Sequence, residues 1–414
     1  MNKHLLISLL ILVWGLFLGL GCAHPPGAAF DENPQPLDNP SFARQWGTEL
    51  GHGDDDPVTA IYVSDQFVFA YRRGGTSTVM DRASGRLLHV DEPRDGRQRL
   101  HPPIVLKDRI VYPTTTYLEV FDTDGRYIEH PKKPTDELDK PFSQKLDFPI
   151  RSDAVGLGKQ VFFGADFATS GRAVGVDMTK PYVPEIWTLM TPGSSINAAP
   201  AVLKDVVYVA ADNGKVAAVA TDTREPIWPL ERGVFGTYGS VVANLAADQT
   251  GLYVASTDTK LYCLQRAGGR VKWQYFAGAP LKLGPVLTKD MVYLQVPGAG
   301  LAAIEKNAVA KGTNRDALWT ASGATQFLSE DDNYVYARTS GNQIAALDKK
   351  TGEQRFVSRR PDLVAFAENP KGDGLIYVAT QGGRVIAVHP VVTPGQIGEV
   401  VLVPAAPASL ALMR

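Results

Sequence analysis

The chain has 414 residues, 44% of them apolar and 21% charged, with 39 Gly, 29 Pro and two Cys. A charged fraction this ordinary excludes wholesale disorder, and two cysteines exclude a disulfide-rich scaffold. With 42 basic against 44 acidic residues the net charge is −2, so there is no basic excess of the kind that binds nucleic acid by releasing counterions from phosphates.

The first residues, MNKHLLISLLILVWGLFLGLGC, place Lys3 before an apolar run from Leu5 to Leu20. That run is short for a membrane span and suits the core of an export signal. Small residues and Cys22 follow, then His24-Pro25-Pro26-Gly27, which cannot continue a helix. A lone cysteine after such a core resembles the bacterial lipoprotein signal. The resemblance implies cleavage before Cys22, lipid attachment to its thiol and, from Ala23 after it, sorting to the outer membrane. Residues 1–21 are then the signal, and the Pro-, Gly- and Ala-rich stretch 22–40 reads as a flexible tether. The other cysteine, Cys263, lies in the strand-like run Leu-Tyr-Cys-Leu and reads as a small buried apolar side chain without a disulfide partner.

Residues 41–390 repeat one unit. It is clearest at 198–228 (AAPAVLKDVVYVAADNGKVAAVATDTREPIW), 244–273 (NLAADQTGLYVASTDTKLYCLQRAGGRVKW) and 329–356 (SEDDNYVYARTSGNQIAALDKKTGEQRF). One aromatic per unit serves as a ruler: Phe69, Tyr112, Phe163, Tyr208, Tyr253, Tyr293, Tyr336 and Tyr377, at intervals of 43, 51, 45, 45, 40, 43 and 41 residues. Eight units of about 43 residues fit the four-stranded blades of a propeller. Asp122-Thr123-Asp124-Gly125, Asp212-Asn213-Gly214, Ser340-Gly341-Asn342 and Gln381-Gly382-Gly383 supply residues that tolerate the positive φ of hairpin turns. The spacing therefore predicts an all-β, eight-bladed propeller. Full units end in an outer aromatic, as at Trp228, Trp273 and Phe356, but the eighth stops short of one. The strand at Ser41–Trp46 is predicted to complete the last blade and close the ring.

Ala346-Leu347-Asp348, Thr351-Gly352 and Phe356 carry a pattern that resembles the repeat of pyrroloquinoline-quinone-type eight-bladed propellers. In degenerate copies the Thr-Gly becomes Arg224-Glu225 or Gly268-Gly269. One branch of that family consists of quinone-dependent dehydrogenases with vicinal cysteines over the cofactor and a calcium or lanthanide ion beside it; this chain has no adjacent cysteines. The signal, Cys22 and eight degenerate repeats together resemble the BamB-type lipoproteins of the outer-membrane β-barrel assembly machinery, with the nearest local likeness from Ser194 to Trp228.

That resemblance implies a non-catalytic scaffold without a cofactor, tethered to the periplasmic side of the outer membrane. Its partner would be an outer-membrane or periplasmic protein complex, bound through loops on one face. The matching loops contain Thr191, Ser194 and Ser195, and Glu231 and Arg232, without the family's Leu-Arg element in the first or its aspartates in the second. The alternative is a small-molecule or quinone-binding propeller, including a degenerate dehydrogenase. Two insertions are further candidates for specificity: the charged stretch 129–140 with Lys132 and Lys133, and Lys306–Asp316. His52-Gly53-Asp54-Asp55-Asp56 lacks calcium-loop spacing and reads as a solvated loop. The histidines show no metal-ligand spacing. Residues 391–414 form an apolar tail or an extra strand.

Overall fold

The computed structural model describes residues 42–51, 55–93, 100–129, 141–167, 170–180, 185–192, 194–228, 235–307, 312–358 and 360–390. Every regular element among them is a strand, and the strands form eight antiparallel meanders. Blade 1 comprises Val58–Val63, Phe67–Arg72, Ser77–Asp81 and Leu87–Asp91; blades 2 to 7 follow in chain order, each running from an inner to an outer strand. Blade 8 takes Leu363–Phe366, Ile376–Thr380 and Arg384–Pro390 from the C-terminal end and its outermost strand, Phe42–Glu49, from the N-terminal end. The pairing of Phe42 with Pro390 through Glu49 with Arg384 closes the ring as predicted.

Alternation along each strand gives every blade two apolar faces, and the ring buries them against neighbouring blades. The core accordingly divides into eight clusters, one per seam between blades. All eight ruler aromatics lie in the second strand of their blade at no more than 1% exposure. What reads in sequence as one long strand before the ruler is two. In the fourth unit, Ala201–Leu203 and Val206–Ala210 are joined by a turn in which Lys204 takes φ 56°.

The outer aromatics hold the seams. The indole of Trp319 in blade 6 lies against Gly352 of blade 7 and donates from Nε1 to the Lys349 carbonyl at 2.9 Å. Trp228 does the same with Gly269 and the Arg266 carbonyl at 2.8 Å, and Trp46 of blade 8 with Gly85 and the Arg82 carbonyl at 3.0 Å. A Cβ at Gly352 would stand 2.6 Å from the Trp319 ring, and its φ is 73°. Here the repeat's Thr-Gly has a physical meaning: a turn that is left-handed and bare enough to receive an indole.

The degenerate copy at 224–225 is offset by one residue from the sequence reading. Arg224, at φ 65°, donates its N–H to the Ala220 carbonyl as Gly352 donates to that of Asp348, so Thr223-Arg224 occupies the Thr-Gly position.

The sixth unit carries an insertion after its third strand, Gly300–Glu305. This insertion, read in sequence as a specificity loop, takes part in packing. Lys306 is 4% exposed and donates to the Asp248 carboxylate and the Thr288 carbonyl. Asn314–Arg315 pairs in parallel with Gln274–Tyr275 as a fifth strand on blade 5, and the Arg315 guanidinium stacks 4.7 Å above Trp273.

Candidate functional site

In each meander the turn between the second and third strands lies at the same end as the connection from the outermost strand to the next blade. These segments together form one face of the ring, the connecting face. They are pinned to one another. The N–H of Asn213 donates to Ser194 Oγ at 2.9 Å, and that of Asp212 to the Ser195 carbonyl at 2.9 Å. Thr237 N–H donates to the Gly214 carbonyl, Tyr238 N–H to Asp258 Oδ2 at 2.9 Å, and Ala277 N–H to the Thr259 carbonyl. The surface across blades 4 and 5 is thus a continuous hydrogen-bonded platform.

Large apolar side chains stand out from it. Tyr238 is 93% exposed, Phe276 68% and Leu283 56%. Tyr238 lies in Gly236-Thr237-Tyr238-Gly239, where a Cβ at Gly239 would meet the Asp258 amide at 2.4 Å, so the connection hugs blade 5 and turns the tyrosine outward. Lys260 bridges the aromatics: its backbone pairs with Phe276, and its Nζ lies 5.8 Å from the Tyr238 ring and 5.9 Å from that of Tyr262. Tyr262 is fixed by its hydroxyl donating to Asp258 Oδ2 at 2.7 Å and by edge contact with Phe235 at 5.2 Å. Burial, then the Asp258 carboxylate, pushes its phenol well above the usual range. An exposed aromatic pair linked by a lysine on a rigid base has the composition of a protein-docking surface. Among the described residues the remaining exposed large apolar ones, Val90, Ile227, Leu318 and Val364, are spread over blades 1, 4, 6 and 8 at 37–46% exposure.

Thr191 lies near the end of the outermost strand of blade 3, paired with Gly171, and leads into the Ser194–Ser195 connection on this same face. Both serines, each half-buried, touch the blade 4 turn, Ser194 through its hydroxyl and Ser195 through its backbone carbonyl. Glu231, Arg232, Lys132, Lys133 and Cys22 lie outside the described residues, as do His52 and the tail 391–414. Two of the histidines each meet a carboxylate: His89 Nδ1 lies 2.8 Å from Asp91 and His101 Nδ1 3.0 Å from Asp153. Sequence reasoning passed over Tyr238, Phe276 and Leu283. The available signal was an aromatic between two glycines, outside the repeat period and so without a place in the seam packing.

The family model described as outer membrane protein assembly factor BamB matches residues 237–311 and 308–391. No curated protein matches the chain. Among solved structures, BamB from Moraxella catarrhalis superposes with a TM-score of 0.61 at 14% identity, covering 84% of this chain and 99% of that one. The computationally designed Ika8 protein gives 0.60 at 15% identity, covering 82% and 98%. Quinohemoprotein alcohol dehydrogenase from Comamonas testosteroni gives 0.60 at 13% identity, covering 90% and 80%. The chain folds as a β-propeller similar to BamB and to this PQQ-type dehydrogenase, and its C-terminal part, residues 237–391, matches the BamB family model.

The dehydrogenase raises the question of a quinone with its metal ion. The only cysteines, Cys22 and Cys263, are far apart in sequence. Among the described residues no three His, Cys, Asp or Glu converge as a metal site. Between blades 7 and 8, Glu368 faces Gln326 and Arg338 stacks on Phe366. These residues do not fit that cofactor.

Proposed function

We propose that the protein is a non-catalytic scaffold of the cell envelope, held at the periplasmic side of the outer membrane by a lipid on Cys22, and that its connecting face docks a protein of the β-barrel assembly machinery. The observation that carries this reading is the Tyr238–Lys260–Phe276 strip on its rigid platform. Aromatic side chains dominate interface energetics because they bury a large area for few rotatable bonds, and a surface that leaves two of them wet gains that energy only when covered. The family match beginning at residue 237 supports the choice of partner. The loop at 191–195, implied by the family resemblance, joins the same face.

The test is capture from detergent-solubilised envelopes by the full-length lipidated chain. The native protein is expected to recover an outer-membrane assembly component. Tyr238→Glu with Phe276→Glu is expected to lose it by about tenfold or more, the scale of two interface anchors, while melting as the native protein does. Equal recovery by both proteins overturns the assignment of this face.

A further inference from the structure

A cavity of about 630 Å³ opens among blades 5 to 8, within the range of ligand pockets. Leu283, more than half exposed, stands in its wall together with Asn244, Gln326, Arg338, Asn342 and Glu368. It holds two opposite charges that do not pair with each other. Arg338 donates from Nε and Nη2 to Asn342 Oδ1 at 3.0 and 2.5 Å, and its guanidinium lies 4.7 Å over the Phe366 ring. Glu368 accepts only a long bond from Gln326 Nε2 at 3.5 Å and has no ion-pair partner among the described residues.

Glu368 is exposed at the cavity wall, and desolvation by the protein around it raises its pKa; the Gln326 contact opposes the rise only in part. The folded state therefore binds this proton more tightly than the unfolded chain. The resulting stabilisation is fully present at low pH and is lost as pH rises through the unfolded and then the folded pKa. An exposed carboxylate in the cavity wall without a cation beside it has a negative charge to offer an incoming group.

We infer that this cavity receives a peptide segment of the docked partner, with one basic side chain on Glu368, an adjacent apolar side chain on Leu283, and backbone carbonyls on Arg338. The inference rests on the scaffold reading and specifies what the partner presents. Charge complementarity selects the occupant: a lysine or arginine supplies the counterion that Glu368 lacks, and the apolar neighbour covers Leu283. Because the mouth is shared with the connecting face, one partner can cover the aromatic strip and send a segment into the cavity.

Titration calorimetry on the full chain in detergent at pH 7.5 tests it, using acetylated, amidated Gly-Leu-Gly-X-Gly peptides with X as lysine, norleucine or glutamate. The lysine peptide is expected to bind about tenfold more tightly than the norleucine peptide, the scale of one charge-assisted hydrogen bond, and the glutamate peptide more weakly than either. Glu368→Gln is expected to abolish the lysine preference and to melt no lower than the native protein. The preference should also fade as pH is lowered towards the ordinary carboxylate range. Equal binding of the lysine and norleucine peptides, a preference that survives Glu368→Gln, or no binding at millimolar peptide would each overturn the inference. If any of these occurs while the native chain still captures its envelope partner through Tyr238 and Phe276, the pocket assignment fails and the scaffold reading stands. If capture does not depend on Tyr238 and Phe276, the scaffold reading fails whatever the peptides do.

Discussion

Cys263 and Tyr238 mark the two extremes of what a single residue discloses in this chain. Cys263 sits in an alternating strand, and its neighbours settle its fate: it is fully buried between blades 5 and 6, where burial pushes the thiol up to about 12. A thiol, not a thiolate, is present at neutral pH, and it is inaccessible as well. The native protein should therefore leave Cys263 unmodified by a thiol reagent at pH 8, and unfolding in urea should expose it; rapid modification without denaturant would contradict this packing. The ruler aromatics were legible for the same reason as Cys263, since period and alternation fix their direction. Tyr238 and Glu368 were not. One lies between glycines in a connection, the other beyond the end of an inner strand, and only the assembled ring decides that the first faces solvent and the second the cavity.

At the scale of the element, the turn after the third strand receives the indole at the seams closed by Trp46, Trp228 and Trp319. Gly352→Ala forces a Cβ towards the Trp319 ring at a left-handed φ and should cost about 2–4 kcal/mol, combining backbone strain with overpacking. Arg224 already bears that backbone strain in blade 4, where its side chain is exposed. Arg224→Gly should accordingly be neutral or stabilise by about 0.5–1 kcal/mol, the left-handed cost being partly offset by the greater freedom of glycine in the unfolded chain. Urea unfolding of the two variants checks both signs. The repeat pattern made the turns legible, but not their register in degenerate copies. A hydrogen-bond partner, Ala220, rather than a motif letter, identifies Arg224 as the counterpart of glycine. The insertion at 306–316 shows a related limit of the sequence: its polar, irregular residues look like a free loop, yet Lys306 and Arg315 pack through long apolar stems.

Closure is a property of the whole molecule. The first and last described strands meet in blade 8, and the seam to blade 1 is locked by Trp46, by Tyr377 at 5.9 Å from its indole, and by Arg82. Arg82 donates to Tyr377 Oη, Asn369 Oδ1 and Asp373 Oδ2 at 2.8–3.0 Å. Trp46→Ala should cost about 3–5 kcal/mol, as for other large core truncations, and should increase self-association by loosening the strand that covers the blade 8 edge. Thermal melting with sedimentation checks both effects. The missing aromatic of the eighth unit announced the role of Trp46. The Arg82 cluster joins residues nearly 300 positions apart and carries no local signature.

Ring closure also fixes the direction in which the molecule presents its surfaces, so the central claim is one of sidedness. The decisive measurement places a photo-crosslinking residue at Tyr238 on the connecting face or at Thr223, an exposed turn residue on the opposite face, in the full-length lipidated protein within intact envelopes. The scaffold account predicts a discrete adduct with an outer-membrane assembly protein from position 238 and none from 223. Adducts from 223 alone, or equally from both positions, would contradict it.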